Sequence, residues 1–157
     1  FHADGRHDGF IKDLEAVGAN VVDDQTANWS TSEALPIVEA WLISHPEIEV
    51  IFSANDDMAL GAIQARNAAD RKDIKVFSVD ANELGCQALI DGDLYATVAQ
   101  DTLGYAHGAA DTAAKLLRGE EADNIKLDSK LILLEDVDEI LKVVHGYTDE
   151  EIKKLYE

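Results

Sequence analysis

Apolar and polar residues follow two periods along this chain, one typical of strands and one typical of helices. Short β-branched runs such as Val50-Ile51-Phe52 are typical of buried strands in a parallel sheet. Apolar residues three or four positions apart, as at Phe10, Leu14 and Val17, predict helices. In chain order the pattern predicts helix 5–17, strand 20–24, helix 32–44, strand 49–53, helix 56–69, strand 74–79, helix 83–91, strand 95–99 and helix 102–118. This alternation predicts an α/β fold, a doubly wound parallel sheet with helices on both faces.

The last part of the chain departs from this regular alternation. Residues 131–134 form a largely apolar segment that we expect to be extended, and helices are predicted over 137–144 and 148–156. We interpret 1–135 as one α/β lobe and 136–157 as an acidic helical C-terminal extension. Helix 102–118 has a face of small residues that we expect to pack against the sheet, formed by Ala106, Ala109, Ala110, Ala113 and Leu117.

Large polar or aromatic residues follow the predicted strands at the places where ligands bind in open α/β sheets. Asp80 and Gln100 come directly after two of the strands, and Asn55 comes two residues after a third. Trp29 lies in the loop after strand 20–24, and Arg6 lies at the start of the first helix. Amide, carboxylate and guanidinium groups supply donors and acceptors, and the indole supplies an apolar face. Together they suit a neutral polyhydroxylated ring better than a phosphate.

Each of these residues also has a local explanation that the sequence leaves open. Asn and Asp are favoured helix caps, and tryptophan can cover the edge of a core. The alternatives are a capping role for Asn55 and Asp80, core covering by Trp29, a solvated loop position for Gln100, and ion pairs from Arg6 to Asp4 or Asp8.

Composition and charge exclude several classes of partner. The 157 residues include 13 basic and 32 acidic ones, a formal net charge of −19, which argues against binding nucleic acid or anionic membrane surfaces. No apolar run approaches the roughly 20 residues that span a bilayer, so we expect no membrane insertion. The single cysteine, Cys86, has apolar neighbours and is predicted to be a buried hydrophobe. The chain begins at Phe1 without methionine, and we expect a fragment or processed form.

Signals for catalysis or metal binding are weak. The five histidines are scattered, and no nucleophile elbow, phosphate-binding loop or dinucleotide-binding motif occurs. The pairs Asp23-Asp24 and Asp56-Asp57 could attract a cation, but they lack the calcium-loop spacing and are predicted to be surface acids. We therefore expect no catalytic residues, no metal and no cofactor.

Four motifs resemble the C-terminal lobe of ribose-binding-type periplasmic proteins, the type I sugar receptors of bacterial ABC importers. They are Arg6-x-x-Gly9-Phe10, the run 55–62 (NDDMALGA), the strand end Val79-Asp80 and the run 92–100 (GDLYATVAQ). The resemblance implies that Arg6, Trp29, Asn55, Asp80 and Gln100 contact a sugar. Trp29 stands where ribose receptors carry a phenylalanine.

The same resemblance implies partners and a location. It implies a two-lobed, non-enzymatic receptor whose N-terminal lobe is absent from this chain, and an ABC transporter permease as membrane partner. It implies a periplasmic or extracellular protein, lipid-anchored in a Gram-positive bacterium. The alternative is the effector domain of a LacI-type sugar-responsive regulator, which shares the run 55–62. An enzyme on the same fold is a third possibility, without a nucleophile–base pair to support it.

Overall fold

The computed structural model describes residues 2–157, with side chains from residue 4 onward, so the chain start at Phe1 lies outside the described residues. Seven helices and four short strands alternate along this part of the chain. They are α1 (His2–Ala16), α2 (Thr31–Ser44), β1 (Val50–Phe52), α3 (Asp56–Ala68), β2 (Lys75–Phe77), α4 (Glu83–Ile90), β3 (Thr97–Gln100), α5 (Thr102–Leu117), β4 (Ser129–Ile132), α6 (Val137–Val143) and α7 (Asp149–Leu155), with a 3-10 turn at Leu134–Asp136.

The strands follow one another across the sheet in chain order. β1 pairs with β2 in parallel, and two isolated parallel bridges, Phe77 to Ala96 and Asp80 to Ala99, join β2 to the β3 region. These contacts confirm the parallel sheet that the alternation predicts. β4 pairs with β3 in the antiparallel direction, with Thr97 opposite Ile132, so the apolar segment near 131–134 adds an antiparallel strand that we had predicted only as extended.

The predicted strand over 20–24 is wrong, because these residues have no strand pairing in the structure. A strand is stable only when its backbone groups pair with a neighbour. β1 pairs with β2 along one side only, and the described residues supply no strand for its other edge. Val22 still packs against the core as a partly buried side chain, which explains the apolar pattern that suggested a strand.

Two cavities flank this free edge of β1. They measure about 430 and 500 Å³, and Trp41, Ile51 and Phe52 line both of them. Phe10 of α1 stacks on Phe52, with ring centroids 3.9 Å apart, and so holds α1 over the same region. Among the described residues, Trp41 Nε1 is the one buried side-chain nitrogen or oxygen without a hydrogen-bond partner. The packing around this edge of β1 therefore leaves open space.

The core lies between the sheet and the helices α2, α3, α4 and α6. Its fully buried side chains include Ile74 and Val76 from the β2 region, Leu89 from α4 and Ile132 from β4. The Cys86 thiol is also fully buried, as predicted, and burial raises its pKa to about 12. The thiol is thus a small core side chain and is not reactive at neutral pH.

Helix α5 does not pack against the sheet, contrary to our prediction. It has no buried residue, and the Leu117 side chain at its end is 89% exposed. Leu103, Ala106, Ala110, Ala113 and Leu117 nevertheless recur at intervals of three and four residues, the spacing of one apolar face. This stripe shares four residues with the predicted face and has Leu103 in place of Ala109, and all of its residues are exposed.

Helices α6 and α7 contribute to the same core as the rest of the chain. Val137, Leu141 and Ile152 are buried in the main apolar cluster. Between the two helices, His145 Nε2 lies 2.9 Å from the carbonyl oxygen of Ala81. The division into 1–135 and 136–157 stays a prediction from the sequence.

Gly61 is needed where α3 crosses α2. A Cβ added there would lie 2.4 Å from the backbone oxygen of Thr31, so we expect Gly61→Ala to separate the two helices. Overpacking of this kind lowers the free energy of unfolding by about 1–3 kcal/mol, measurable by urea denaturation. Gly9→Ala is the matched control, because a Cβ at Gly9 in α1 meets no atom within 4 Å and alanine is the better helix former. Equal stability of the two variants would contradict the close-contact argument.

Candidate functional site

The carboxylate of Asp80 is the centre of the candidate site. Asp80 follows β2, and its Oδ1 accepts hydrogen bonds from Arg6 Nη2 at 2.9 Å and from Gln100 Nε2 at 2.9 Å. Arg6 lies in α1 and Gln100 is the last residue of β3. Three distant parts of the chain therefore meet at one oxygen atom.

The guanidinium of Arg6 connects Asp80 to the other predicted site residues. Its Nη1 donates to the carbonyl oxygen of Ala54, two residues after β1. Its Cζ atom lies 5.4 Å from the centre of the Trp29 ring, within cation–π range. Trp29 is 43% exposed, so part of its surface remains open to solvent.

Asn55 lies next to the carbonyl that Arg6 binds. It is buried, and its Oδ1 accepts a hydrogen bond of 2.9 Å from the backbone N–H of Met58, which caps α3. The capping alternative is therefore correct for Asn55. It is wrong for Asp80, because Asn82 caps α4 through the N–H of Gly85.

Burial dominates the electrostatics of Asp80. The side chains of Arg6 and Asp80 are 18% and 31% exposed. Loss of hydration raises the pKa of the Asp80 carboxyl, and the Arg6 charge and the hydrogen bonds from Arg6 and Gln100 oppose that rise. Desolvation is the larger effect, so the carboxylate is held in an environment that favours its neutral form relative to water.

Asp56 is the functional-site candidate that the sequence reasoning missed. We predicted a surface acid, but Asp56 is fully buried, whereas Asp57 is exposed as expected. Asp56 accepts hydrogen bonds from the Ser78 hydroxyl, from Thr97 Oγ1 at 2.8 Å and from the Asn82 N–H at 2.7 Å. Burial raises its pKa, and these three donors oppose the rise. The sequence offered no signal that separates Asp56 from Asp57, because the burial of Asp56 depends on the distant hydroxyl groups of Ser78 and Thr97.

Neither a metal site nor a membrane span is found in the part of the chain that the structure describes. No group of three or more His, Cys, Asp or Glu side chains there could hold a metal ion. No described helix combines the length and the apolar character that crossing a bilayer requires.

Comparison with known proteins identifies the family of this chain. Residues 2–121 match the family model described as a periplasmic binding protein domain. This chain belongs to the periplasmic binding protein family. The match covers α1 through α5 and includes all five of the predicted site residues.

Individual relatives of this periplasmic binding protein domain agree with that assignment. The ribose import binding protein of Escherichia coli is 36% identical over 82% of this chain and 44% of its own length. A putative rhizopine-binding protein of Rhizobium meliloti is 34% identical over 74% of this chain and 38% of its own length. The chain thus spans less than half the length of these curated relatives.

Solved structures show the same fold. An ABC transporter solute binding protein from Bacillus halodurans with bound myo-inositol has a TM-score of 0.78 and 32% identity, over 85% of this chain and 47% of that one. A periplasmic solute binding protein from Actinobacillus succinogenes with bound D-allose has a TM-score of 0.79 and 27% identity, over 83% and 48%. The α/β fold class predicted from the sequence is confirmed.

The raised pKa of Asp80 predicts a pH dependence of stability. Below the ordinary value of 3.8 the carboxyl is protonated in both states, and its contribution to stability is fully present. As the pH rises through the raised pKa of the folded state, the partly buried group ionises and that contribution is lost. Relative to Asp80→Asn, the wild-type chain should therefore lose stability as the pH rises from below 3.8. Urea unfolding of both proteins between about pH 3 and pH 7 measures the difference in their free energies of unfolding. If the wild-type chain instead gained stability relative to Asp80→Asn as the pH rises, the attraction of Arg6 would outweigh the effect of burial on the Asp80 pKa.

Proposed function

We propose that this chain is one lobe of the solute-binding component of a bacterial ABC importer, which binds a monosaccharide or polyol in a cleft between two lobes. The observation that carries the proposal is the contact of Arg6 and Gln100 with the Asp80 carboxylate, together with the contact of Trp29 with Arg6. The names of related proteins, which bind ribose, D-allose or myo-inositol, support it.

The proposed roles follow from the donors and acceptors in place. Both protein donors to Asp80 use Oδ1, which leaves Oδ2 as an acceptor for sugar hydroxyls. The Oδ1 of Asn55 caps α3, which leaves its NH₂ group as a donor to a sugar oxygen. Trp29 would stack its exposed ring surface on the C–H face of the sugar. In this proposal Arg6 orients Asp80 and also donates to a ligand oxygen, since a guanidinium has five N–H donors.

The stripe of helix α5 supports a second lobe as partner. Leu103, Ala106, Ala110, Ala113 and Leu117 form an apolar face on a helix with no buried residue. Exposed apolar faces of this kind mark interaction surfaces. We assign this face to the N-terminal lobe, because α5 directly follows Gln100 at the candidate site and relatives of this chain are about twice as long.

The whole receptor would act by hinge closure of its two lobes around the sugar. Closure removes water from both sides of the ligand, and the closed form would then bind the permease of the importer. A periplasmic or extracellular location follows from this role, and the relatives whose names include periplasmic binding support it. The strongly acidic surface, with a net charge of −19, is compatible with a freely diffusing carrier.

Sugar binding by the chain itself is testable by NMR. We expect D-ribose, D-allose or myo-inositol at millimolar concentration to shift the signals of the Trp29 indole N–H and of the side-chain amides of Asn55 and Gln100. Binding should be weak, because one wall of a cleft leaves half of the ligand hydrated, and the missing wall should cost about a thousandfold or more in Kd.

Replacement of Asp80 tests the site within the same experiment. Asp80→Ala should abolish the shifts, because the loss of a charged acceptor for sugar hydroxyls costs about 2–4 kcal/mol. Asp73→Ala is the matched control, since Asp73 also pairs with an arginine, Arg71, but lies on the exposed surface. Retention of binding within about tenfold in Asp80→Ala would remove Asp80 from direct contact with the sugar.

The α5 stripe predicts self-association when the second lobe is not supplied. Sedimentation of the chain should show a concentration-dependent increase in mass, because association of two chains would remove their exposed apolar faces from water. Ala110→Glu should reduce that increase, whereas Lys115→Glu, off the stripe on the same helix, should leave it unchanged. A wild-type chain that stays monomeric at all concentrations, and binds a sugar at micromolar concentration, would contradict the two-lobe proposal.

A further inference from the structure

The buried Asp56 carboxylate links the chain segments that carry two predicted ligand-binding residues, Asn55 and Asp80. Asp56 directly follows Asn55 and begins α3. Its side chain extends to the segment that carries Asp80, where it accepts hydrogen bonds from the Ser78 hydroxyl and the Asn82 N–H. One carboxylate thus links the strand end after β1 to the loop after β2.

The loop that carries Asp80 has a backbone that needs such support. Asp80 and Ala81 have φ angles of 123° and 53°, a region that residues with a Cβ rarely adopt. Such conformations persist when surrounding contacts fix them. Thr97 Oγ1 accepts from the Ala81 N–H at 3.3 Å and donates to Asp56. Asp56 therefore holds this loop at Ser78, at Asn82 and, through Thr97, at Ala81.

We propose that Asp56 is a positioning residue for ligand recognition, which fixes the loop at residues 80–82 so that the Asp80 carboxylate and the Asn55 amide face one ligand. The proposal rests on the proposed function, sugar binding at Asp80. Asp56 itself has no direct role at the ligand, because its two oxygens are used by protein donors and it is fully buried.

The site is shaped for a carboxylate at this position. Oδ1 accepts from two hydroxyl groups and Oδ2 from a backbone N–H, so a carboxylate satisfies all three donors at once. In Asp56→Asn the amide NH₂ would face either the Asn82 N–H or the two hydroxyls. Gly85 of α4 leaves the required space, since a Cβ there would lie 2.3 Å from Asp56 Oδ2.

Two variants test the proposal without a large change in volume at Asp56. Asp56→Asn removes the charge and leaves one acceptor oxygen, which cannot serve both the Asn82 N–H and the two hydroxyls, and Gly85→Ala displaces the carboxylate without changing any charge. Asp57→Asn is the matched control, with the same chemical change at the next residue, on the exposed side of the same helix turn. For each protein, NMR measures amide hydrogen exchange and the Kd for D-ribose, D-allose and myo-inositol.

In both test variants we expect exchange at the Asn82 amide to accelerate at least about tenfold. The Ser53 amide, which pairs β1 with β2, should change by less than about threefold, which separates loss of positioning from general destabilisation. The Kd for sugar should rise by at least about fivefold in both variants and stay within about twofold in Asp57→Asn.

The outcomes separate this proposal from the proposed function. If the wild-type chain binds a sugar and Asp56→Asn changes the Kd by less than about twofold, only the role of Asp56 is overturned. Equal acceleration of amide exchange at Asn82 and Ser53 has the same consequence. A wild-type chain that binds none of the three sugars overturns the proposed function, and with it any role of Asp56 in ligand recognition. Loss of binding in both test variants, with exchange accelerated only near Asn82, supports the proposal.

Discussion

The common direction of β1, β2 and β3 is the constraint on which the candidate site depends. Parallel pairing of β1 with β2, and the bridges from β2 to β3, place the carboxyl ends of all three strands at one edge. Ala54, Asp80 and Gln100 occupy those ends, so a single arginine in α1 can reach the first two of them. Short strands suffice for this purpose, because only their last residues need to be aligned.

Two carboxylates share this edge, and the chain keeps their surroundings distinct. Asp56 is fully buried and is surrounded by neutral donors, whereas Asp80 is partly exposed and is paired with the Arg6 charge. Burial raises the pKa of both groups, and the negative charge of Asp80 adds to the rise at Asp56. Hydrogen bonds to charged groups contribute about 1.5–3 kcal/mol each, which offsets part of the desolvation. The outer carboxylate alone retains surface for a ligand.

Sequence reasoning succeeded where a local pattern decides the structure and failed where a partner decides it. The strand ends at Asn55, Asp80 and Gln100 were predictable, because β-branched runs followed by polar residues and helix caps define them. Residues 20–24 have the same local pattern but no neighbouring strand in the described chain, so they remain irregular. The α5 face was predicted to pack against the sheet, but its residues are exposed in the described chain.

The error at Asp56 has a different cause. An acidic residue in the first turn of a helix is usually explained by the helix dipole, and the sequence gives no indication of which of two adjacent aspartates faces inward. The answer depends on Ser78 and Thr97, which lie 22 and 41 residues further along the chain. Only the assembled sheet brings these hydroxyls to one carboxylate.

The cap formed by Asn55 has a consequence for what the site can distinguish. Because Oδ1 is held by the Met58 N–H, the amide cannot rotate by half a turn to exchange its oxygen and nitrogen without losing the cap. An uncapped asparagine could turn either its NH₂ group or its carbonyl oxygen toward a ligand. It could therefore donate to an ether oxygen or accept from a hydroxyl group equally well. Here the helix fixes the polarity of the side chain, so in the proposed site Asn55 would bind a lone pair at one defined position, and Asp80 would bind a proton. A secondary-structure contact would thereby set part of the stereochemical selectivity of the proposed site.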